Sequence, residues 1–348
     1  MKTSMKVKSI IIMFFFILMF NSCKTKNNEI KVKLLKPERE IESIKDLYYI
    51  ANINLVSNED QIFIVDRSQG VLIATDKNFD PQYLINNKGD GPGELQQPIN
   101  VVYQNDTLFI EDIQNRRMNF FQSNSGRFLN SFKIPFATTG KRFSIDLEGN
   151  FLFSRLPDES GNAITKTNKK GEKLFDFGSK IPDPFSRKNN QSKLVQVNEN
   201  NEYIVTSVTF GVLEIYNSKG KILSSIDLKE YEPIKRGFDS LKVDLAALEK
   251  EEDKRSIPQL ILDSQVIGEM IFITFTDRIG LDRSGTRHLL ELQLKNNEIY
   301  LRNIYRFVTG SEDDDYNFMS FHYDKYERKI YAQGLITNKL YVFPMDTK

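Results

Sequence analysis

Cysteine occurs once and histidine twice among the 348 residues. A lone cysteine excludes an internal disulfide, so the usual structural reason for cysteine in an exported chain is missing. The two histidines, His288 and His322, fall in separate stretches without the close spacing of zinc ligands. No G-x-S-x-G string marks a nucleophile elbow. No catalytic set, metal site or cofactor is therefore expected from motif reading. Long apolar runs are also missing. Ile10–Phe20 has 11 apolar residues, against the roughly 20 that a membrane-spanning helix needs.

That short run has a clear context. Lys2, Lys6 and Lys8 precede it, and Asn21-Ser22-Cys23 follows it. A positive start, a short apolar segment and a small residue at the cleavage point are the parts of a secretory signal, expected over residues 1–22. The string from Phe20 to Cys23 resembles the lipobox of bacterial lipoproteins, with Phe20 where leucine is usual. The resemblance implies a lipid-modified Cys23, a polar tether over 23–29 and attachment to a membrane through acyl chains, which hold stably when more than one is present. Lys24 rather than Asp follows the cysteine, which points to the outer membrane, with its periplasmic face as the expected address and the cell surface as the alternative. An ordinary cleaved signal beside an incidental cysteine is the competing reading.

Removing Lys2, Lys6 and Lys8 from the 48 lysines and arginines leaves 45, against 47 acids. A net charge of about −2 argues against a nucleic-acid footprint. Apolar residues make up 40%, with 26 Phe and 14 Tyr, and aromatic side chains favour strands.

One pattern recurs along residues 30–348: an alternating strand, a turn, another strand, a Gly- or Asn-containing turn, and a third strand. Gln61–Asn86 and Thr107–Ile134 are the clearest copies, with Asp66 and Asp112 at equivalent places. Weaker copies run over Phe143–Gly178, Leu194–Leu228, Leu260–Phe307 and Phe318–Met345, the last one strand short. Six units at this spacing predict an all-β, six-bladed β-propeller, in which blades bury their faces against one another around a ring. Ile30–Leu35 alternates in the same way and is expected to supply the missing outer strand, closing the ring from the N-terminus. Phe238–Arg255 breaks the pattern. Leu241, Leu245 and Leu248 at helical spacing predict a short inserted helix over about 238–255, covering an edge of the ring or serving as a lid.

The string Asn87–Pro98 joins the first two units. Gly89, Gly91 and Gly93 permit positive φ, Pro92 fixes its own, and Glu94 follows. It reads as a structural turn between blades rather than a phosphate loop, since no Lys-Ser/Thr ending and no helix pattern follow. It resembles the G-x-G-P-G-E loop of NHL-type propeller repeats. With the six units, it makes the chain similar to the six-bladed β-propeller lipoproteins of Bacteroidetes.

Three residues are candidates for ligand binding. Asp66 and Asp112, at equivalent strand ends, either face the channel or cap turns. His322 lies on an expected inner strand, either facing the channel or serving as an ordinary strand histidine. The acidic run Glu312–Asp315 lacks the spacing of a calcium loop. These readings suit a monomeric, membrane-anchored binding or scaffold module for a protein, peptide or glycan, with enzymatic activity not expected. The alternative is a metal-dependent hydrolase or lyase acting on polysaccharide or peptide in the channel.

Overall fold

The computed structural model describes residues 31–44, 53–157, 159–183, 191–248, 259–276, 287–308, 318–334 and 337–345. Cys23, the signal, the tether and Glu312–Asp315 lie outside them.

Two short strands come first, β1 (Val32–Leu35) and β2 (Arg39–Ile41). The first blade contains β3 (Ile53–Ser57), β4 (Gln61–Asp66), β5 (Val71–Asp76) and β6 (Pro81–Ile85). The second contains β7 (Pro98–Gln104), β8 (Thr107–Asp112), β9 (Arg117–Gln122) and β10 (Phe128–Lys133). The third is built from β11 (Ser144–Ile145), β12 (Phe151–Ser154), β13 (Ile164–Thr167) and β14 (Lys173–Phe177). The fourth is built from β15 (Lys193–Val197), β16 (Tyr203–Ser207), β17 (Val212–Tyr216) and β18 (Ile222–Asp227). The fifth holds β19 (Ile261–Ile267), β20 (Met270–Phe275), β21 (His288–Lys295) and β22 (Glu298–Phe307), and the sixth β23 (Phe318–Asp324), β24 (Lys329–Gly334) and β25 (Leu340–Pro344). Six sheets, in each of which the consecutive strands pair antiparallel, make the six-bladed propeller.

The burial pattern follows from this stacking. A middle strand such as β4, QIFIVD, has a blade on each side and is buried at Ile62, Phe63, Ile64, Val65 and Asp66. An outer strand such as β18, ILSSID, alternates between exposed and half-buried. Each interface between neighbouring blades holds its own apolar cluster. Phe63, Leu72, Val101 and Ile110 lie between the first two blades, and Tyr331, Leu340, Ile53 and Ile64 between the last and the first.

Five hairpins use one local device. Asp76, Asp146, Asn168, Asn198 and Asn217 each accept the backbone N–H groups two and four residues on. The third residue on has positive φ: Phe79, Gly149, Gly171, Asn201 and Gly220. Side-chain oxygens of Asp and Asn favour this turn because they satisfy its free donors.

Closure differs from the expectation. The fourth strand of the last blade is β2, antiparallel to β25 with Arg39 opposite Val342 and Ile41 opposite Leu340. Val32–Leu35 does not close the ring. It runs parallel to β22 as a fifth strand of the fifth blade, with Val32 opposite Ile304 and Leu35 opposite Phe307. Both segments alternate, so alternation alone could not choose between two open sheet edges. Ile41 is buried in the cluster between the last and first blades, whereas Val32 and Leu34 are exposed.

The helix α1 (Glu232–Leu248) starts six residues before the expected position; residues 249–255 of the expectation fall outside those described. Pro233 sits in its first turn, where a missing N–H costs nothing. The Tyr231 carbonyl accepts from Ile234 and Lys235. Ile234, Phe238 and Leu241 form its buried stripe, against the core shared by the fourth and fifth blades. Gly237 permits that approach: a Cβ there would stand 2.4 Å from the Thr276 carbonyl oxygen.

Candidate functional site

The first strands of the six blades, β3, β7, β11, β15, β19 and β23, surround the ring axis. Their C-terminal ends, from all six blades, line one cavity of about 450 Å³. The hairpins between first and second strands form its rim. The described parts of the connections between blades, including α1, belong to the opposite rim, so the helix is not a lid over this funnel.

The funnel wall carries mainly amides and tyrosines, with one carboxylate, Glu199, among its described residues. Gln196 and Asn198 come from the fourth blade, Gln265 from the fifth, and Tyr103 and Tyr323 from the second and sixth. Arg142, just before β11, reaches across the axis. Its Nε lies 2.9 and 3.0 Å from the two carboxylate oxygens of Asp263 on β19, and its Nη2 donates to the Phe321 carbonyl of β23 at 2.6 Å. Three blades are joined by one side chain at the base of the funnel.

Deeper in the ring the polar contacts continue. Asn54 donates to Asn100 at 2.9 Å, and Asn100 donates to Glu111 at 2.7 Å. Thr138 also donates to Glu111, at 2.5 Å. Burial without a cationic partner pushes the Glu111 carboxyl up to about 7, against the two hydrogen bonds that favour its charge. Lys141 donates to Gln259 at 2.8 Å, and burial pulls its ammonium below the usual lysine range.

His322 lines the funnel and is locked from both sides. The Tyr323 N–H donates to Gln265 Oε1 at 2.7 Å, which fixes the amide so that Nε2 faces His322 Nδ1 at 3.2 Å. Nδ1 is therefore an acceptor, and the ring proton sits on Nε2, 2.8 Å from Ser57 Oγ. Burial and the Arg142 charge pull its pKa down to about 3. A Ser–His contact of this kind looks like a nucleophile and its base. Here the imidazole already carries its proton toward the serine and has an amide, not a carboxylate, behind it, so it cannot take the hydroxyl proton. His288 lies on β21, stacked on Phe275 with ring centroids 5.2 Å apart. Among the described residues no three His, Cys, Asp or Glu side chains converge as metal ligands would.

Asp66 and Asp112 lie at the opposite rim, in the turns after the second strands, and the fold does not bring them to His322. Asp66 accepts the Gln69 N–H at 2.9 Å and the Gln69 side-chain amide at 3.1 Å. Asp112 accepts the Gln96 N–H at 2.7 Å, the Gln97 N–H at 3.1 Å and the Asn115 N–H at 3.2 Å. Through Gln96 and Gln97 it holds the end of the connection that begins with the glycine-rich string. In that string the Gly91 N–H donates to Glu94 Oε2 at 2.9 Å, and the Gly89 carbonyl accepts from Asn115 at 2.8 Å. Pro92 leads into Gly93, whose φ is +80° and whose absent Cβ would lie 2.9 Å from the Phe128 ring.

Arg142, Asp263 and Gln265 escaped motif reading. The one available signal is local: an acid inside LILDSQVI, an otherwise apolar inner strand, needs a buried partner. Nothing in the sequence identifies that partner 121 residues away.

No family model matches the chain, and no curated protein matches it. Solved structures share its architecture. A candidate exported protein of Bacteroides fragilis is 12% identical, with 87% of this chain and 88% of that one covered and a TM-score of 0.53. The β-propeller domain of Cps50 (Swd1) from Myceliophteria thermophila is 9% identical, with 90% and 100% covered and a TM-score of 0.52. The WD40 domain of Neurospora crassa Pan2 is 9% identical, with 85% and 89% covered and a TM-score of 0.50. At these identities the likeness is one of fold.

Proposed function

We propose that this chain is a binding module of the cell envelope, held to a membrane by a lipid on Cys23, that takes a protein, peptide or glycan partner at the mouth of its funnel. The observation that carries the reading is the funnel itself: about 450 Å³, contributed by all six blades and based on the Arg142–Asp263 pair. Its amides and tyrosine rings can hydrogen-bond and stack on an uncharged polar ligand. His322, fixed as a neutral donor, serves recognition and not proton abstraction. The fold shared with a candidate exported protein supports an envelope address. A metal-dependent hydrolase or lyase would need several ligating side chains converging in the channel, and His322 is the one histidine of the funnel wall.

Photo-crosslinking in cells tests the binding surface. A photoreactive residue in place of Lys325, on the funnel wall, is expected to give discrete adducts. The same residue in place of Leu129, on the outer strand of the second blade, is expected to give none. Adducts from position 129 alone would refute the funnel as the partner site. The anchor is tested separately: an alkyne fatty acid is expected to label the wild type and not Cys23→Ala.

A further inference from the structure

The fifth strand of the fifth blade calls for a covering partner. The other blades have four strands, so β1 stands outside the ring at a radius where its neighbours have ended. In register, Val32 and Leu34 share a face with Ile304, which packs toward the fourth blade. That blade stops at β18. Val32 is consequently 44% exposed and Leu34 58%, although they alternate as a buried strand would. Tyr300 on the adjacent β22 is 48% exposed.

Cations accompany these apolar side chains. Lys33 on β1, Lys36 just after it and Arg302 on β22 are all exposed. Nearby carboxylates are partly committed elsewhere: Glu38 to Lys329 at 3.0 Å, Glu40 to Lys339 at 3.1 Å, and Glu298 to the Tyr300 hydroxyl. Exposed aliphatic and tyrosine side chains set among lysine and arginine match the boundary between acyl chains and anionic headgroups. Chain length points the same way. Eight residues separate Cys23 from Val32, a span of at most about 30 Å when fully extended.

We infer that the outer edge of the fifth blade, centred on Val32, Leu34, Lys33, Lys36 and Arg302, lies against the surface of a bilayer containing anionic lipid. The inference rests on the lipid-anchor reading. It adds an orientation: the ring meets the membrane through one edge, which leaves the funnel mouth open to partners.

Cys23 is the only cysteine, so with that thiol consumed by the lipid a second cysteine becomes a unique labelling site. Leu34→Cys and, on the opposite side of the ring, Leu129→Cys would carry an environment-sensitive fluorophore in the full-length acylated protein. The vesicles would be phosphatidylcholine with phosphatidylglycerol and a headgroup-level nitroxide lipid. The probe at position 34 is expected to be quenched at least about twofold more than that at 129. The difference should shrink with Lys33→Gln, Lys36→Gln and Arg302→Gln combined, because each cation near an anionic surface adds attraction. Acylated protein with equal quenching at both sites would overturn the membrane edge and leave the anchor standing. Protein lacking the acyl chains would overturn both. A dimer that shields position 34 without vesicles would give the edge to a second copy and also overturn the inference.

Discussion

Arg142 and Asp263 meet across the ring axis, the guanidinium Nε 2.9 Å from one carboxylate oxygen, with both side chains nearly buried at 11% and 6% exposure. The pair ties the third blade to the fifth, and the same arginine reaches the Phe321 carbonyl of the sixth. A buried ion pair adds little net stability over an apolar pair of the same volume, but removing one partner leaves an uncompensated charge. Asp263→Ala and Arg142→Ala are each expected to cost about 3–5 kcal/mol. Arg142→Met with Asp263→Leu is expected to recover much of it. Urea unfolding of the four proteins measures this; additive losses in the double variant would show that the two groups act independently.

The two N-terminal strands should differ sharply in importance. Ile41→Ala, in the strand that closes the last blade, is expected to cost about 2–5 kcal/mol, as for other buried isoleucines. Leu34→Ala, in the exposed fifth strand, should stay within about 0.5 kcal/mol. Likewise a chain starting at Lys36, which loses the buried Leu35 but keeps the closing strand, should unfold cooperatively at a higher temperature than one starting at Ile44, which loses both. Equal melting temperatures for the two shortened chains would contradict closure by Arg39–Ile41.

Two buried groups give stability opposite pH slopes. Glu111 titrates near 7 in the folded ring against an ordinary 4.5. The folded state thus keeps a proton that the unfolded chain releases, and stability falls as pH rises from about 4.5 to 7, by up to roughly 3 kcal/mol. His322 titrates near 3 against 6.5. The unfolded chain takes up that proton first, so stability falls as pH drops from 6.5 toward 3. Glu111→Gln should leave the rising slope of His322, and His322→Gln the falling slope of Glu111. Denaturation midpoints between pH 4 and 8 check both, and nitrogen NMR of His322 should show one unprotonated ring nitrogen throughout the range about pH 5–8. Variant curves parallel to the wild type would reject both assignments.

At the opposite rim, Gly93→Ala is expected to cost at least about 1–3 kcal/mol, since it combines a left-handed backbone with a clash against Phe128. Gly161→Ala, also at positive φ but 3.6 Å from its nearest neighbour, should cost less, on the order of 1 kcal/mol. Thermal melts of the pair separate backbone strain from crowding. A larger loss at Gly161 than at Gly93 would contradict the packing against Phe128.

Much of the fold could be read from residue order because its signals are local. QIFIVD and TLFIED carry their own alternation, and NSKG and TNKKG their own turns, so six units could be counted before any contact was known. The inserted helix was legible from its leucines, but its start was not: Glu232-Pro233 carries no apolar period, and Ile234 and Phe238 become a helical face only against the blades. The site was far less legible. His322 could be placed on an inner strand, but its tautomer depends on Gln265, whose amide is fixed by the Tyr323 backbone. Asp66 and Asp112 are equivalent in sequence and in place, and alternation could not say that their carboxylates meet the backbone of turns.

The sequence by itself determined the number of blades, the order of strands within each and the turns between them, since hydrogen bonding and side-chain alternation act over a few residues. The tertiary structure decided which N-terminal strand closes the ring, which residues meet at the axis and which rim carries the funnel. Those outcomes depend on which sheet edge is left unpaired and which polar groups are buried face to face. Pairings such as Ile41 with Leu340 and Arg142 with Asp263 join residues hundreds or scores of positions apart, and only the closed ring brings them together.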